Sequence, residues 1–330
     1  MADPLRLVFM GSDPVALPLL DWLVGEGARV AEIVGLVTGL DQPSGRGQSV
    51  RPNAVKAWAS RRPFPILQPV KLDEGVRAAL ADLRPDVSLV VAYGQILRDP
   101  IIALPRLGTL NLHASLLPRY RGASPIQTAV AAGDRETGMT LMRIVRELDA
   151  GPVGDFERVP ISPLDTAQEV EARLAAAAIP LLARALPLLG QGRLPFHAQE
   201  SGEATYCRRL EKADGVLDFS APAAVLSARI NGLHPWPSVA VDIAGSAVKL
   251  GLSDSLAAGG GEAPGTVVGP DSEGLRVATG SGTLRLRRLQ RPGGRMLAAG
   301  EFLRGFAIEP GTLLASKPMS PLVAGAPVRR

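Results

Sequence analysis

An asparagine and a histidine lie two residues apart in the stretch NLHASLLPRYRGASP, residues 111–125. Side chains alternate in direction along a strand, so Asn111 and His113 share one face with Thr109 while the intervening leucines face the core. An amide and a protonated imidazole both donate hydrogen bonds, which suits them to a developing oxyanion. The residues alone leave a second possibility open, a buried polar pair that satisfies loop carbonyl groups.

A candidate acid follows the alternating segment GMTLMRIV, residues 138–145. Asp149 comes shortly after it, so we expect this carboxylate in a loop beyond the end of another strand. Aspartate before glycine and proline is also a common turn residue, and that alternative stays open at this point.

Alternating strand-like and helix-like segments fill the first 190 residues. The expected strands are Leu5–Met10, Val30–Val37, Ile66–Leu67, Val87–Ala92 and Thr109–Leu112. Continuous apolar runs such as VSLVVA are typical of strands buried on both faces of a parallel sheet. We expect an α/β fold with a doubly wound, mostly parallel, Rossmann-like sheet. In such sheets ligands bind at the carboxyl ends of the strands, where Asn111 and His113 would lie.

Several common chemistries lack their motifs. The first strand ends in MGSDP rather than G-x-G-x-x-G, which argues against a dinucleotide-dependent dehydrogenase, and no P-loop motif is present. With a single cysteine and histidines only at 113, 197 and 234, no zinc-ligand spacing exists, so we expect no metal. We assign no catalytic role to His197, His234 or Cys207.

The sequence becomes polar and loses its periodicity near residue 190. We predict a catalytic domain over 1–190, a polar linker over 191–208 and a C-terminal domain over 209–330. After a helix at Ala221–Asn231, short strand-like pieces alternate with turns rich in glycine and proline. This spacing predicts a small OB-like β-barrel, a fold that often binds nucleic acid.

Charge and composition favour a soluble protein with a polyanionic partner. The 330 residues carry a formal net charge of +4, and residues 276–304 hold seven arginines against the single acid Glu301. A solvated basic surface is the alternative. The lone Cys207 suits a reducing compartment, and MADPLRLVFMGSD shows no signal-peptide pattern. We expect a cytoplasmic protein, a monomer, with no membrane contact.

The run NLHASLLPRYRGASPIQ, with ELDAGP some thirty residues on, resembles the Asn–His–Asp signature of folate-dependent formyltransferases. Further matching pieces are VVAYGQIL (90–97), LHPWP (233–237) and the PGTVV…GTLRL stretch (264–286). The end-to-end pattern is closest to family members that formylate the methionine on initiator tRNA. The resemblance implies 10-formyltetrahydrofolate as formyl donor and Asn111, His113 and Asp149 as catalytic residues.

The resemblance also implies binding residues. Ser115, Leu116, Leu117 and Pro118 match the family's folate-contacting loop, and Tyr93–Leu97 would form the opposite wall of the pterin pocket. The tRNA contacts implied or expected are these: Arg46, Arg51, Arg287, Arg288 and Arg295.

The loop TGLDQPSGRGQSVRP, residues 38–52, departs from the family pattern, which reads closer to Q-P-D-R-P-x-G-R-G-K. Arg46 occupies the position of the key arginine, but two cations are missing, which predicts weaker RNA binding by this loop. Two other functions stay open. One is a formyltransferase acting on an amino sugar nucleotide or another small amine; the other is a catalytically silent RNA-binding protein.

Overall fold

The computed structural model describes residues 3–44, 49–257 and 261–327. The strands of the first half are β1 (Leu5–Gly11), β2 (Ala31–Val37), β3 (Gln42–Ser44), β4 (Ser49–Arg51), β5 (Ile66–Leu67), β6 (Val87–Val91), β7 (Thr109–His113), β8 (Arg121–Gly122), β9 (Glu136–Arg143) and β10 (Val153–Pro160). Those of the second half are β11 (Tyr206–Cys207), β12 (Val239–Ile243), β13 (Ser246–Leu256), β14 (Val267–Pro270), β15 (Leu275–Ala278), β16 (Thr283–Gln290), β17 (Leu297–Ala298) and β18 (Val323–Ala324).

Two of the described α-helices begin at residues whose side chains cap them. The α-helices are α1 (Leu17–Val24), α2 (Ala54–Ala59), α3 (Glu74–Asp82), α4 (Asp99–Ile102), α5 (Pro125–Ala131), α6 (Ala167–Gly190), α7 (Ala223–Gly232) and α8 (Ala299–Gly305). Asn53 and Asp73 accept hydrogen bonds from backbone N–H groups in the first turns of α2 and α3. Asp13 does the same for a 3-10 turn, Pro14–Ala16, that leads into α1.

The central sheet has seven strands in the order β10-β9-β7-β6-β1-β2-β5. The neighbours from β5 to β7 pair in parallel, whereas β9 runs antiparallel to β7. Numbered along the chain, the parallel strands follow the order 3-2-1-4-5, which is the doubly wound, Rossmann-like order. The expected fold class is therefore confirmed, and the five expected strands lie within a residue or two of their predicted bounds.

The position of β1 and β6 inside the sheet explains their continuous apolar sequences. All five residues of β6 are buried, and in β1 the stretch Leu7–Met10 is fully enclosed. Both strands have parallel neighbours on either side, so their side chains meet protein on both faces and a continuous apolar run is stable there.

Helix α6 runs unbroken through Pro180 and Pro187, where the sequence predicted interruptions. A proline inside a helix costs about 3 kcal/mol. The apolar stripe of this helix, which includes Leu174, Leu181 and Leu186, is fully buried, and such packing outweighs local propensity. By length and composition alone α6 could cross a membrane, a test that the core helix of a globular protein also passes.

The second large sheet has the order β12-β13-β16-β15-β14, with β17 pairing to β16, and its registered pairs are antiparallel. Helix α7 packs on β13 and β16. Its Leu226 and Ile230 join Leu250 and Leu286 in one fully buried apolar cluster. This separate antiparallel sheet agrees with the expected fold; its closure into an OB-like barrel stays a prediction.

The chain forms two compact units whose segments alternate along the sequence. The first contains the described residues of Met1–Arg121, Gly138–Val159 and Ala172–Ala204, and the second those of Gly122–Thr137, Pro160–Glu171 and Thr205–Arg330. The division into domains at 1–190 and 209–330 with a linker between them stays a prediction.

Candidate active site

Strand β7 lies between two neighbours at the end of the parallel part of the sheet. Asn111 faces Val90 of β6 on one side and Met142 of β9 on the other, and His113 is paired with Thr140 of β9. The alternating Leu110 and Leu112 are buried, as expected from the period of a strand. The core therefore fixes the strand, and its two polar residues lie on the opposite face near its carboxyl end.

Each ring nitrogen of His113 has a neighbouring oxygen atom. Its side chain is only 6% exposed, and its Nε2 lies 2.9 Å from the carbonyl oxygen of Tyr120, to which it donates. Its Nδ1 lies 3.7 Å from Oδ2 of Asp149. The structure thus brings the predicted histidine and aspartate together. Both ring nitrogens therefore face acceptor atoms.

The two residues that contact the imidazole have unusual backbone conformations. Tyr120 has φ +59° and Asp149 has φ +49°, both in the left-handed region that non-glycine residues seldom adopt. Such conformations persist where surrounding contacts hold them, and they concentrate at functional sites.

The side chain of Asn111 is half-buried and makes no hydrogen bond to any residue that the structure describes. Its amide N–H groups remain available to a ligand at the end of β7. An unsatisfied amide beside a histidine–carboxylate pair can stabilise negative charge that develops on a bound oxygen.

The loop 115–118 is shaped by its own hydrogen bonds. The fully buried Ser115 donates through Oγ to the carbonyl of Arg119 at 2.6 Å. Thr140 donates through Oγ1 to the carbonyl of Ser115 at 2.6 Å and accepts from the N–H of Leu117 at 3.3 Å. Leu116, Leu117 and Pro118 are half-buried. Ser115 therefore holds the loop, and the three residues after it offer partly exposed surface.

The segment Tyr93–Leu97 follows β6, the parallel neighbour of β7. Tyr93 is 5% exposed and packs in an apolar cluster with Met10 and Val90. Its hydroxyl has no hydrogen-bond partner among the described residues, and burial raises the pKa of Tyr93 to about 12. Ile96, by contrast, is 68% exposed. The segment thus combines an anchoring tyrosine with an exposed apolar residue.

Two residues that sequence reasoning missed connect the loops around His113. The buried Arg121 donates from Nε and a terminal nitrogen to Oε1 of Gln199, at 3.1 and 2.7 Å. Gln199 in turn donates to the carbonyls of Asp149 and Gly151, both at 2.8 Å. Arg121 lies inside the quoted motif, but Gln199 lies in the aperiodic stretch predicted as a linker, where local sequence carries no signal.

Arg46 lies outside the described residues, but the base of its loop is well defined. Strands β3 and β4 form a hairpin on either side of it. Asp41 pairs with Lys56 at 2.7 Å and accepts from Gln68 at 2.8 Å, and these hydrogen bonds hold the pKa of Asp41 below its ordinary value. Arg51 is exposed at the end of β4, where its Nε donates to Ser49.

The arginines of β16 differ sharply in their partners. Arg287 donates to both carboxylate oxygens of Asp254 and to Glu273, and its side chain is 19% exposed. The side chain of the adjacent Arg288 is exposed and makes no hydrogen bond or ion pair within the described part of the chain. Arg295 is 81% exposed and pairs with Glu301 at 2.9 Å. Arg288 and Arg295 therefore present their charge to solvent, whereas that of Arg287 is largely matched.

The described residues contain no cluster of three or more His, Cys, Asp or Glu side chains that could hold a metal ion. His197 is exposed, and Cys207, the single cysteine of the sequence, is buried. Burial lowers the pKa of the half-buried His234, with Arg288 and Lys249 acting in the same direction and Glu169 against it.

Comparison with known protein families defines the class. The family model described as formyl transferase matches residues 5–186, and the one described as formyl transferase, C-terminal domain, matches residues 209–307. The chain thus belongs to a formyl-transferring enzyme with both family domains.

Curated relatives narrow the family. The methionyl-tRNA formyltransferase of Ectopseudomonas mendocina is 43% identical over 299 residues, covering 90% of this chain and 94% of that protein. That of Aromatoleum aromaticum is 40% identical over 311 residues, covering 94% and 97%. The chain therefore belongs to the methionyl-tRNA formyltransferase family, and the resemblance seen in the sequence is confirmed.

Solved structures share the fold at low identity. The N-formyltransferase of Helicobacter canadensis, in complex with folinic acid and dTDP-3-aminofucose, has a TM-score of 0.63 at 15% identity, over 86% of this chain and 99% of its own. HypX of Aquifex aeolicus, in complex with tetrahydrofolic acid, has a TM-score of 0.60 at 16% identity, over 95% and 51%.

Proposed function

We propose that the protein transfers the formyl group of 10-formyltetrahydrofolate to the α-amine of methionine on initiator tRNA. The assignment of the reaction class rests on the surroundings of His113. Asp149 lies beside one ring nitrogen and the carbonyl of Tyr120 beside the other, and the side chain of Asn111 is available on the same strand. The choice of methionyl-tRNA as substrate rests on the relatives that match the chain over most of its length.

Asn111 and His113 act on the oxygen of the formyl group. When the amine attacks the formyl carbon, that oxygen takes negative charge in a tetrahedral intermediate. The amide N–H of Asn111 donates to it, and so can the N–H at Nδ1 of His113, which lies 3.7 Å from Asp149, whereas Nε2 is engaged by the carbonyl of Tyr120. Removing one such donor costs on the order of 10²-fold in rate.

Asp149 orients the imidazole and assists the proton transfer. Its carboxylate, 3.7 Å from Nδ1, favours a proton at that position and fixes the plane of the ring. As the bond from N10 of the folate to the formyl carbon breaks, the amine gives up one proton and N10 gains one. A carboxylate within reach of a bound water can relay that proton.

The folate co-substrate fits the carboxyl edge of the sheet beside these residues. Leu116, Leu117 and Pro118 follow β7, and Tyr93–Leu97 follows its parallel neighbour β6, so both segments leave the same edge. Partly exposed apolar side chains in both suit the face of a planar ring, and the internal hydrogen bonds of Ser115 hold one wall in place.

Exposed arginines provide the tRNA contacts. Arg51, Arg288 and Arg295 are accessible, and an exposed ion pair such as Arg295–Glu301 is worth only about 0–1 kcal/mol, so a phosphate can replace the glutamate. Arg287 would have to leave Asp254 and Glu273, which makes it the weakest of the proposed contacts. Arg46 stays a proposal from the family pattern.

Purified protein assayed with methionyl initiator tRNA and 10-formyltetrahydrofolate tests this function. We expect rapid formylation by the wild type, and a loss of 10²-fold or more in kcat for His113→Ala and for Asn111→Ala. His197→Ala, a change at an exposed histidine, is the matched control and should keep the wild-type rate. Arg46→Ala should act mainly through the KM for tRNA.

The alternatives give different results. If the wild type formylates an amino sugar nucleotide but not tRNA, the proposed folate site stands and the proposed acceptor is wrong. A wild type that binds tRNA with no turnover on any amine would support a silent RNA-binding protein. Cytoplasmic location, the monomeric state and the absence of a metal requirement stay predictions.

A further inference from the structure

The side chain of Gln199 joins the two segments that grip His113. The carbonyl of Tyr120 accepts from Nε2 of His113, and Tyr120 is followed by Arg121, whose guanidinium donates twice to Oε1 of Gln199. On the other side Asp149 faces Nδ1, and its own carbonyl accepts from Nε2 of Gln199.

The amide of Gln199 is fully satisfied in one orientation only. Its oxygen accepts two hydrogen bonds from Arg121, and its nitrogen donates two, to Asp149 and Gly151. A flipped amide would turn its NH₂ toward a guanidinium and its oxygen toward two carbonyls, with all four bonds lost. The side chain is therefore a fixed connector between the two loops.

The backbone also places Gln199 firmly. His197 and Val153 form an antiparallel bridge, in which each N–H donates to the other's carbonyl at 2.8 and 2.9 Å. Val153 begins β10, so the segment carrying Gln199 is aligned with the central sheet two residues before the glutamine.

The loops that it joins need such support. Tyr120 and Asp149 both lie in the left-handed region of φ, which costs energy for a non-glycine residue unless surrounding contacts hold it. Gln199 forms hydrogen bonds with the carbonyl of Asp149 and with Arg121, the residue after Tyr120. These bonds therefore restrain the backbone at both left-handed residues.

We propose that Gln199 is a positioning residue for formyl transfer, which sets the orientation of the His113 ring by fixing both of its partners. The inference rests on the proposed function. A displacement of about 1 Å at a reacting group can cost 10²-fold, so loss of Gln199 should lower kcat by about 10-fold to 100-fold. The KM values for tRNA and folate should change little, because Gln199 touches neither proposed binding surface.

The test is a double-mutant cycle measured by formylation kinetics. Gln199→Met keeps the length of the side chain and removes both its donor and acceptor groups. We expect the 10-fold to 100-fold loss in kcat in the wild-type background and less than about 2-fold in the His113→Ala background, because Gln199 acts through the imidazole. Gln191→Met, at an exposed glutamine of the same segment, should leave kcat unchanged.

Gln199→Glu guards against a folding defect. It keeps an oxygen for Arg121 but sets a carboxylate oxygen against two carbonyls, so it should lose kcat as well while circular dichroism stays native. An equal loss from Gln199→Met in both backgrounds, or no loss in the wild-type background, would overturn the inference. Failure of the proposed function looks different: there the wild type itself would not formylate methionyl initiator tRNA.

Discussion

Replacing Gly151 with alanine should displace the loop that carries Asp149. A Cβ at this position would lie 1.8 Å from the carbonyl oxygen of Arg143 and 2.9 Å from its carbon. Real Cβ contacts are essentially never shorter than 3.0 Å, so the two segments must separate by about 1.2 Å. A backbone oxygen cannot rotate away as the end of a long side chain can.

The strand has less freedom to move than the loop. Arg143 ends β9, pairs with Leu110 of β7 and donates from its guanidinium to the carbonyl of Leu107 at 2.8 Å. Most of the displacement must therefore fall on residues 149–151, where Asp149 already lies 3.7 Å from Nδ1 of His113. A shift of about 1 Å in a catalytic arrangement costs about 10²-fold, and overpacking adds about 1–3 kcal/mol of instability.

The measurement is kcat/KM for formylation, with thermal unfolding recorded on the same samples. We expect Gly151→Ala to lose about 10²-fold in kcat/KM at a temperature where it is fully folded. Gly202→Ala is the control, because no described atom lies within 4 Å of its Cβ position. A Gly151→Ala enzyme within twofold of the wild-type kcat/KM would refute the close approach and the dependence on Asp149.

Two further predictions concern stability and pH. Burial lowers the pKa of His234, so the folded state resists its protonation and the free energy of unfolding should fall as the pH drops below 6.5. Urea titrations at several pH values should show this dependence on pH weakened in His234→Gln and kept in His197→Gln. Asp214→Ala should cost about 3 kcal/mol by removing the buried partner of Arg208, a loss measurable by denaturant titration at neutral pH. Burial alone would raise the pKa of Asp214, but hydrogen bonds from Arg208 and the N–H of Glu211 outweigh it, so this contribution should vanish as the pH falls below 3.8.

The elements that local sequence predicted well are those whose burial is continuous. Strands such as β1, β6 and β7 appear as apolar runs because the sheet encloses them, and the two-residue spacing of Asn111 and His113 places them on one face. The assembly around His113 was less visible. Arg121 and Gln199 are 78 residues apart, and Gln199 and Asp149 are 50 apart, so no local pattern connects them.

Secondary structure was misjudged where tertiary packing decided it. The prolines of α6 predicted breaks, yet its buried leucines keep the helix whole. The stretch around His197 lacks any period, which predicts a linker; its backbone bridges Val153 and carries Gln199 to the site, and the bounds of the linker stay a prediction. A short polar segment can be fixed by a few specific hydrogen bonds, which leave no hydrophobic pattern in the sequence.

Charge is the property that local sequence describes least well. Arg287 and Arg288 are adjacent in RLRR, but Arg287 donates to Asp254, 33 residues earlier, whereas Arg288 faces solvent with no partner in the described ranges. A phosphate that binds Arg287 must separate it from Asp254 and Glu273, two carboxylates that then keep only Arg285 as a cationic partner. A phosphate that binds Arg288 breaks no such pair and gains the full benefit of counterion release. The basic density of this strand therefore overstates the number of cations that it can offer to RNA, and Arg288 should contribute more to tRNA affinity than its neighbour.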